Sequence, residues 1–532
     1  MHWSEEQPTL RRREVHFGDR VVWCFSDRPG SVWAMFAASV AACPDAEVLS
    51  GDEGSVSYAE LADKTTRMAA GMAKAGISQG DRVALLMGNR FAFVEVFLAC
   101  QCLGAVCVPL NPRQPAPEIA YAANQCGASA IVVEADLGGN LPARGDIPTV
   151  RHIWAAYGEL PGAAILEDVD GTAMDAVEVS EDDCATILYT SGTTGRPKGA
   201  MLTHLGIVHS SLHFAMSMEM QARDRSLLAV PASHVTGLIA NITTALSCGA
   251  SIVFLRQFKA TGCLELMARA KVTHTLIVPA MYNLFLRDPT FEQHDLSSWR
   301  IGGYGGAPMP EATIVEMAAR APHVGLMNGY GATEATSPTT MNPHRFAASH
   351  SDCVGLALHC TEVGVFGADG AELPPGNQGE IWMRGPNVIP GYWDNVDANA
   401  ANFVGGWWKS GDMGSMTEDG FIRVHDRIKD MVNRGGFKIF SIEVESQLSF
   451  HPNILESAVI GRACEVLGER VHLVVVPKDS SPTDMLAEDI RTFARERLSD
   501  YKVPEVIHFR TAPLPRNANG KIIKTQLRQE YT

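Results

Sequence analysis

The chain has 532 residues, 46% of them hydrophobic and 20% charged, and 44 basic against 60 acidic side chains leave a formal charge of −16. That length exceeds what one hydrophobic core usually serves, so two or more domains are expected. The acidic balance excludes a dedicated nucleic-acid binder, and an anionic ligand would have to meet locally focused positive charge.

The 12 cysteines form no C-x-x-C pair and there is no H-E-x-x-H, which argues against a disulfide framework or a zinc centre and suits a reducing interior. The opening "MHWSEEQPTLRRREVHFGDR" is charged throughout and lacks the apolar core of a signal peptide. The most apolar run, residues 96–110, is too short to cross a bilayer and contains Gln101. The closing "QEYT" has no prenyl, retention or peroxisomal signal. The expectation is a cytoplasmic protein with no membrane span.

Along the chain, "DRVALLM" (81–87) reads as a short buried strand, "RFAFVEVFLACQCLG" (90–104) as a helix and "AVCVPLNP" (105–112) as a second strand stopped by proline. "APEIAYAANQCG" with "ASAIVVEAD", and "GCLELMARAK" with "VTHTLIVP", repeat the pattern. Helices alternating with continuous apolar strands imply parallel-rich α/β sheets covered on both faces, with ligands beyond the strand C-terminal ends. After about Gly376 the texture turns to Gly, Trp and short alternating strands, a small β-rich layer. From about Asp430 a final small α+β unit follows, with strands near 458–460 and 472–476. Its helix sets Ile490, Phe493, Ala494 and Leu498 on one face.

Between the strand "CATILYT" (184–190) and the helical "THLGIVHSSLHFAMSM", with Thr203 as its cap, lies "SGTTGRPKGAML". The spacing predicts a loop from strand end to helix start. Its glycines free backbone N–H groups, Thr190, Ser191, Thr193 and Thr194 add hydroxyls, Lys198 adds charge, and phosphate is the natural guest. It is not a Walker A loop, because Pro197-Lys198-Gly199 stands where Gly-Lys-Ser/Thr is required.

"YTSGTTGRPKGAMLTH" resembles the phosphate loop of the adenylate-forming superfamily, which includes acyl-CoA synthetases, non-ribosomal adenylation domains and firefly-type luciferases. The resemblance continues in order through "GAVCVPLNP", "PASHVTG", "GGYGGAPMP", "NGYGATEA", "GEIWMRGPNVIPGYW", "WWKSGDMG", "DRIKDMVNRGGFKIFSIEVE" and "PRNANGKIIKTQLR", nearly the whole chain. It implies a ligase that joins a carboxylic acid to ATP, giving acyl-AMP and pyrophosphate, and then passes the acyl group to CoA, with ATP, Mg²⁺ and CoA as cofactors. It also implies a large AMP-binding domain (1–428), a mobile C-terminal domain (429–532) and a hinge at Lys429. Monomer and homodimer both remain open.

By that resemblance Thr190, Ser191, Gly192, Thr193, Thr194 and Lys198 hold the β- and γ-phosphates. Gly306, Ala307 and Pro308, with Asn328, Gly329, Tyr330 and Gly331, border adenine, on which Tyr330 stacks. Thr333 bonds the α-phosphate, Glu334 holds Mg²⁺, Asp412 accepts the ribose hydroxyls and Arg427 supports the ribose. Lys521 bridges the acid and the α-phosphate, and His234 gates the carboxylate end. Gly435, Gly436 and Lys438 line the pantetheine entry, and Lys524 is ordinary surface charge.

Ser441 departs from the proline common at its position, and "GRACEVLGE" (461–469) from a more usual Val-Pro-Asp; both bear on the CoA step. Ser233 and His234 stand where amino-acid-activating relatives commonly carry an aspartate, so a fatty, aromatic or alicyclic acid is expected. The competing readings are an enzyme handing its acyl-adenylate to a carrier protein or to oxygen, and a nucleotide-binding regulatory protein without catalysis.

Overall fold

The computed structural model describes residues 10–190, 196–478, 484–516 and 521–531. Two large sheets form its body. The seven-stranded sheet runs in the order Lys198–Thr203, Cys184–Thr190, Val106–Leu110, Arg82–Leu86, Ala130–Glu134, His152–Ala156 and Ala164–Ile165, parallel except for its first strand. In the nine-stranded sheet, six adjacent strands from Gly325–Ala332 to Glu47–Gly51 are parallel, and antiparallel strands close both edges.

The helix Phe91–Leu103 is buried at every position. It shares one apolar cluster with Val83 and Leu85 of the first sheet and Leu49, Leu228 and Ile252 of the second. A helix covered all round must be apolar all round, as this one is apart from two residues. Both are partnered: Glu95 takes Lys64 at 2.8 Å, and the Gln101 amide donates to the Ala185 carbonyl at 3.2 Å. Gly104, in the left-handed region, ends the helix as its C-cap.

A five-stranded, wholly antiparallel sheet beginning at Glu362–Phe366 forms the smaller β-rich layer. The last unit builds another five-stranded sheet around the long pair Ile454–Cys464 and Gly468–Pro477, covered by the helices Ser441–Leu448 and Asp484–Arg495. The apolar clusters fall either before residue 425 or after residue 431, so among the described residues none spans that stretch.

One local expectation is corrected. The chain does not pass directly from Thr190 to a helix; it returns as the antiparallel strand Lys198–Thr203, and only then does the helix His204–Ser217 start, with the Thr203 side chain accepting the Gly206 N–H. Thr190 and Lys198 thus face each other across an antiparallel strand pair, and Ser191, Gly192, Thr193 and Thr194 lie outside the described residues.

Asn89 ties the two sheets together. Its amide donates to the carbonyls of Leu228, Val230 and Leu255, and its side-chain oxygen accepts the Ala232 N–H at 2.8 Å. Asn89→Ala removes these bonds and leaves buried groups short of partners, although the Leu228 carbonyl keeps the Leu255 N–H, a loss of about 2–3 kcal/mol. A clear drop in the thermal unfolding midpoint is expected, and an unchanged midpoint would show that the clip carries no load.

Candidate active site

The hairpin of Gly325–Ala332 and Ser337–Asn342 carries Thr333 and Glu334 at its apex, in a single turn of 3₁₀ helix. The apex is tight. A Cβ on Gly331 would lie 1.6 Å from the Ser337 carbonyl oxygen, so only glycine fits. Thr336 (φ +49°) and Ser337 (φ +90°) occupy a region that side chains disfavour. Such strain persists where neighbours over-determine it, and here buried Asn387 donates to the carbonyls of Ala335 and Pro338, one on each side.

The segment 389–393 braces the same apex against the phosphate-loop hairpin. The Ile389 N–H donates to the Glu334 carbonyl, the Trp393 N–H to the Gly199 carbonyl, and the Met201 N–H to the Gly391 carbonyl. Between them the Tyr392 hydroxyl donates to Glu334 Oε1 at 2.9 Å, and the Lys198 ammonium lies 4.8 Å from the Tyr392 ring centroid. Asn387 and Tyr392 lie in the "GPNVIPGYW" stretch, whose sequence signal points to a place in the family but to no role.

Tyr330 and Asp412 meet from two different sheets, the tyrosine hydroxyl 2.7 Å from Asp412 Oδ2. Burial, with the Asp412 carboxylate adding to it, raises the Tyr330 pKa well above the usual phenol value, so its hydroxyl stays a donor. Arg427 reaches Asp412 at 3.4 Å. Gly306, Ala307 and Pro308 are exposed just past the end of the strand Ile301–Gly305, which lies beside Asn328 and Gly329 of the next strand.

Lys521 reaches this cleft from the C-terminal unit. It keeps solvent access, yet protein atoms crowd its ammonium, and that desolvation lowers its pKa below the ordinary lysine value. Arg427 adds to the lowering, while Asp412 and Glu334 oppose it. His234 feels the same ammonium: burial first, and Lys521 second, push its pKa down to about 4. His234 Nδ1 accepts the Thr236 N–H at 3.3 Å, which leaves the proton of the neutral ring on Nε2. The next residues, Thr236–Thr243, form a π-helix lining onward from His234.

The hairpin of Gly435 and Gly436 is not brought to this cleft. Both glycines have positive φ (+59° and +89°), as a two-residue hairpin turn demands. Arg434 pairs with Glu505 and Phe437 stacks on Tyr501, within the C-terminal unit, while Lys438 is exposed. Lys524 is not ordinary surface charge. Its side chain is 12% exposed and pairs with Glu445 at 2.7 Å.

A family model of the AMP-binding enzyme matches residues 36–393, and that of the AMP-binding enzyme C-terminal domain matches residues 443–521. The chain belongs to the AMP-binding enzyme family. It is 35% identical over 478 residues to a feruloyl-CoA synthase of an Amycolatopsis species, covering 90% of this chain and 94% of that one. It is 33% identical over 482 residues to the long-chain-fatty-acid–CoA ligase FadD13 of Mycobacterium tuberculosis, with 90% and 93% covered. The crystal structure of the anthranilate CoA ligase AuaEII in complex with anthranoyl-AMP superposes with a TM-score of 0.88 at 25% identity, covering 94% and 97% of the two chains. This family member is an ATP-dependent, AMP-forming acyl-CoA synthetase: it activates a carboxylic acid as acyl-AMP with release of pyrophosphate and transfers the acyl group to CoA.

Buried histidines make the family member acid-sensitive. Desolvation lowers the pKa of His204 and His234 to about 4 and of His209 to about 3. The unfolded chain takes up these protons near pH 6.5 and the folded chain refuses them. Stability is therefore full above about pH 6.5 and falls as pH drops from there toward 4, by about 2 kcal/mol per fully buried ring at pH 5. Urea unfolding is expected at a lower midpoint at pH 5 than at pH 7, and equal midpoints would contradict the account.

Proposed function

We propose that the acid, the triphosphate and Lys521 meet between the Glu334 apex and the Tyr330–Asp412 pair, and that the acid's remainder is apolar, aromatic or fatty. The observation that carries this reading is the convergence on one cleft of Lys521 from the C-terminal unit with Asp412, Glu334, Arg427 and His234. A carboxylate oxygen attacks the α-phosphorus, the bond to the β-phosphate breaks, and pyrophosphate leaves with the electron pair. Lys521 offsets the repulsion between the two anions, and Thr333 donates to the α-phosphate as charge builds there. Asp412 accepts from the ribose hydroxyls, Arg427 supports that ribose, and the Tyr330 face stacks on adenine. Thr190 and Lys198, with the hydroxyls at 191, 193 and 194, hold the outgoing phosphates.

Glu334 fits Mg²⁺ by its chemistry: a hard carboxylate, steadied on one oxygen by the Tyr392 hydroxyl. Bound there, the ion would neutralise charge on the phosphates. His234, uncharged at neutral pH, turns its Nε2–H to the acid as a donor rather than a second cation. Residues 231–244 contain no Asp, Glu, Lys or Arg, so nothing in that stretch pairs with an ammonium or a second carboxylate on the acid. The feruloyl and long-chain fatty acyl groups of the two relatives suit such a lining.

In the second step the thiol sulfur of CoA attacks the acyl carbon and AMP leaves. We place the domain boundary at residues 428 and 429, with Lys429 as the hinge that carries Lys521 away, and Gly435, Gly436 and Lys438 brought to the thiol's path by that rotation. The absence of any apolar cluster spanning residues 425–431 among those described supports a hinge there. Among the described residues no helix is long and apolar enough to cross a membrane, and all 12 cysteines are unpaired. Together with the need for ATP and CoA, these points favour the cytoplasm.

Mass spectrometry of reactions with ATP, Mg²⁺, CoA and a panel of hydroxycinnamic, fatty, alicyclic and amino acids tests the substrate class. AMP with an acyl-CoA from an apolar acid is the expected result, and turnover confined to amino acids would overturn it. Lys521→Met is expected to slow acyl-AMP formation at least about 100-fold, the scale of one well-placed charge in a transition state. Thioester formation from supplied acyl-AMP should survive. Unimpaired pyrophosphate release in this variant would remove Lys521 from its role.

A further inference from the structure

The C-terminal unit touches the small β-rich layer along a short buried seam. His425 stacks on Phe440, ring centroids 5.1 Å apart. Beside it Asp426, 2% exposed, accepts the backbone N–H of Ser441, the first residue of the helix Ser441–Leu448. The Ser441 hydroxyl accepts from the Lys524 ammonium at 2.5 Å, and that ammonium also pairs with Glu445, one turn further along the helix, at 2.7 Å. Arg528, on the same final helix as Lys524, binds Asp430 at 2.9 Å and the Lys429 carbonyl at 3.3 Å.

The first N–H groups of a helix have no partner within it and favour a carboxylate. Here that carboxylate comes from outside the C-terminal unit, on the strand Ile422–Arg427, so the cap is also a joint. Burial raises the pKa of both Asp426 and Glu445, and the Lys524 ammonium opposes that in each, together with backbone N–H donors. Separating Asp426 from Ser441 and Lys524 gives up a helix cap and a charge contact that hydration returns only in part, so the cluster resists opening. Lys524 stands three residues after Lys521 in the chain, so what fixes Lys524 also fixes where Lys521 points.

We infer that Ser441 is a positioning residue for the adenylation step: by joining Asp426 to Lys524 it holds the C-terminal unit in the arrangement that puts Lys521 in the cleft. The inference rests on the reading of Lys521 given above. It assigns the joint to one half-reaction only, because the thiol step requires Lys521 to leave. A residue that merely packs the C-terminal unit would affect both steps alike.

The two half-reactions separate these cases, measured on the full chain as pyrophosphate release without CoA and as thioester formation from supplied acyl-AMP and CoA. Ser441→Pro removes both the N–H and the hydroxyl while suiting the first position of a helix. Ser441→Ala removes only the hydroxyl, and Lys524→Met removes the ammonium. Acyl-AMP formation is expected to fall about tenfold in Ser441→Pro and about threefold in Ser441→Ala, the range of losing a helix cap. Thioester formation should hold or quicken. Equal losses in both steps, or no change in either, would overturn the inference. If Ser441→Pro does not fold, Lys524→Met carries the same expectation. Lys521→Met retaining pyrophosphate release would sink the reading of Lys521 itself. Lys521→Met impaired beside normal Ser441 and Lys524 variants would sink only the joint.

Discussion

Two anions must come within bonding distance before a carboxylate can reach the α-phosphate, and the protein that brings them together is itself strongly acidic. At 4 Å each like-charge pair costs about 4 kcal/mol at the effective dielectric of a protein surface. In the proposed site the cleft meets that cost with few cations, Lys198, Arg427 and Lys521, drawn from three separate parts of the chain. On that proposal the third is not permanent. A lysine that stayed beside the acyl phosphate would occupy the space the thiol needs, so the position that most requires charge lies on the unit best able to withdraw.

The fixed part of the site is correspondingly stiff. Thr333 and Glu334 sit on a hairpin apex whose backbone is strained at Thr336 and Ser337, and such a turn would relax if left to itself. Asn387 pins its two flanks, Ile389 bonds the Glu334 carbonyl, and Tyr392 links Glu334 to Lys198. One short segment thus sets the distance between the magnesium-binding candidate and the phosphate-loop cation. Oriented groups of this kind need no reorganisation when charge develops, which is where electrostatic catalysis gains most.

Much of this was legible in the sequence because it is carried by local chemistry. Apolar strands alternating with helices gave the parallel sheets, Thr203 gave a helix start, and glycine-rich motifs singled out Tyr330, Glu334 and Asp412, although Asp412 lies within the strand Trp407–Met416 rather than in a turn. What stayed hidden depends on distant partners. "KGAMLT" has no strand-like alternation and becomes a strand only by pairing with Cys184–Thr190. Thr236–Thr243 holds two threonines, two isoleucines, a glycine and an asparagine, residues that do not favour a helix, and becomes a π-helix in its buried setting. Lys524 looks like any lysine near a chain end, since Ser441 and Glu445 lie about eighty residues away and no periodicity connects them. Gly435 and Gly436 were named from the resemblance alone, and their positive φ gives them a turn's reason to be glycine whether or not a thiol passes by.

The nature of the seam explains how a joint can be firm and still open. An apolar core shared by the two units would expose its surface on rotation at about 25 cal/mol for every Å² uncovered, a cost that accumulates quickly. Here, among the described residues, the apolar clusters stop at Val424 and resume at Val432, and a ring stack, a helix cap and a lysine shared by two carboxylates bridge them. Charged groups that separate on rotation become hydrated, so the loss on opening is partly returned by water, whereas exposed hydrocarbon gains no such return. A polar seam therefore allows a well-defined closed arrangement without making it permanent, which is what a lysine needed in one step and unwanted in the next requires.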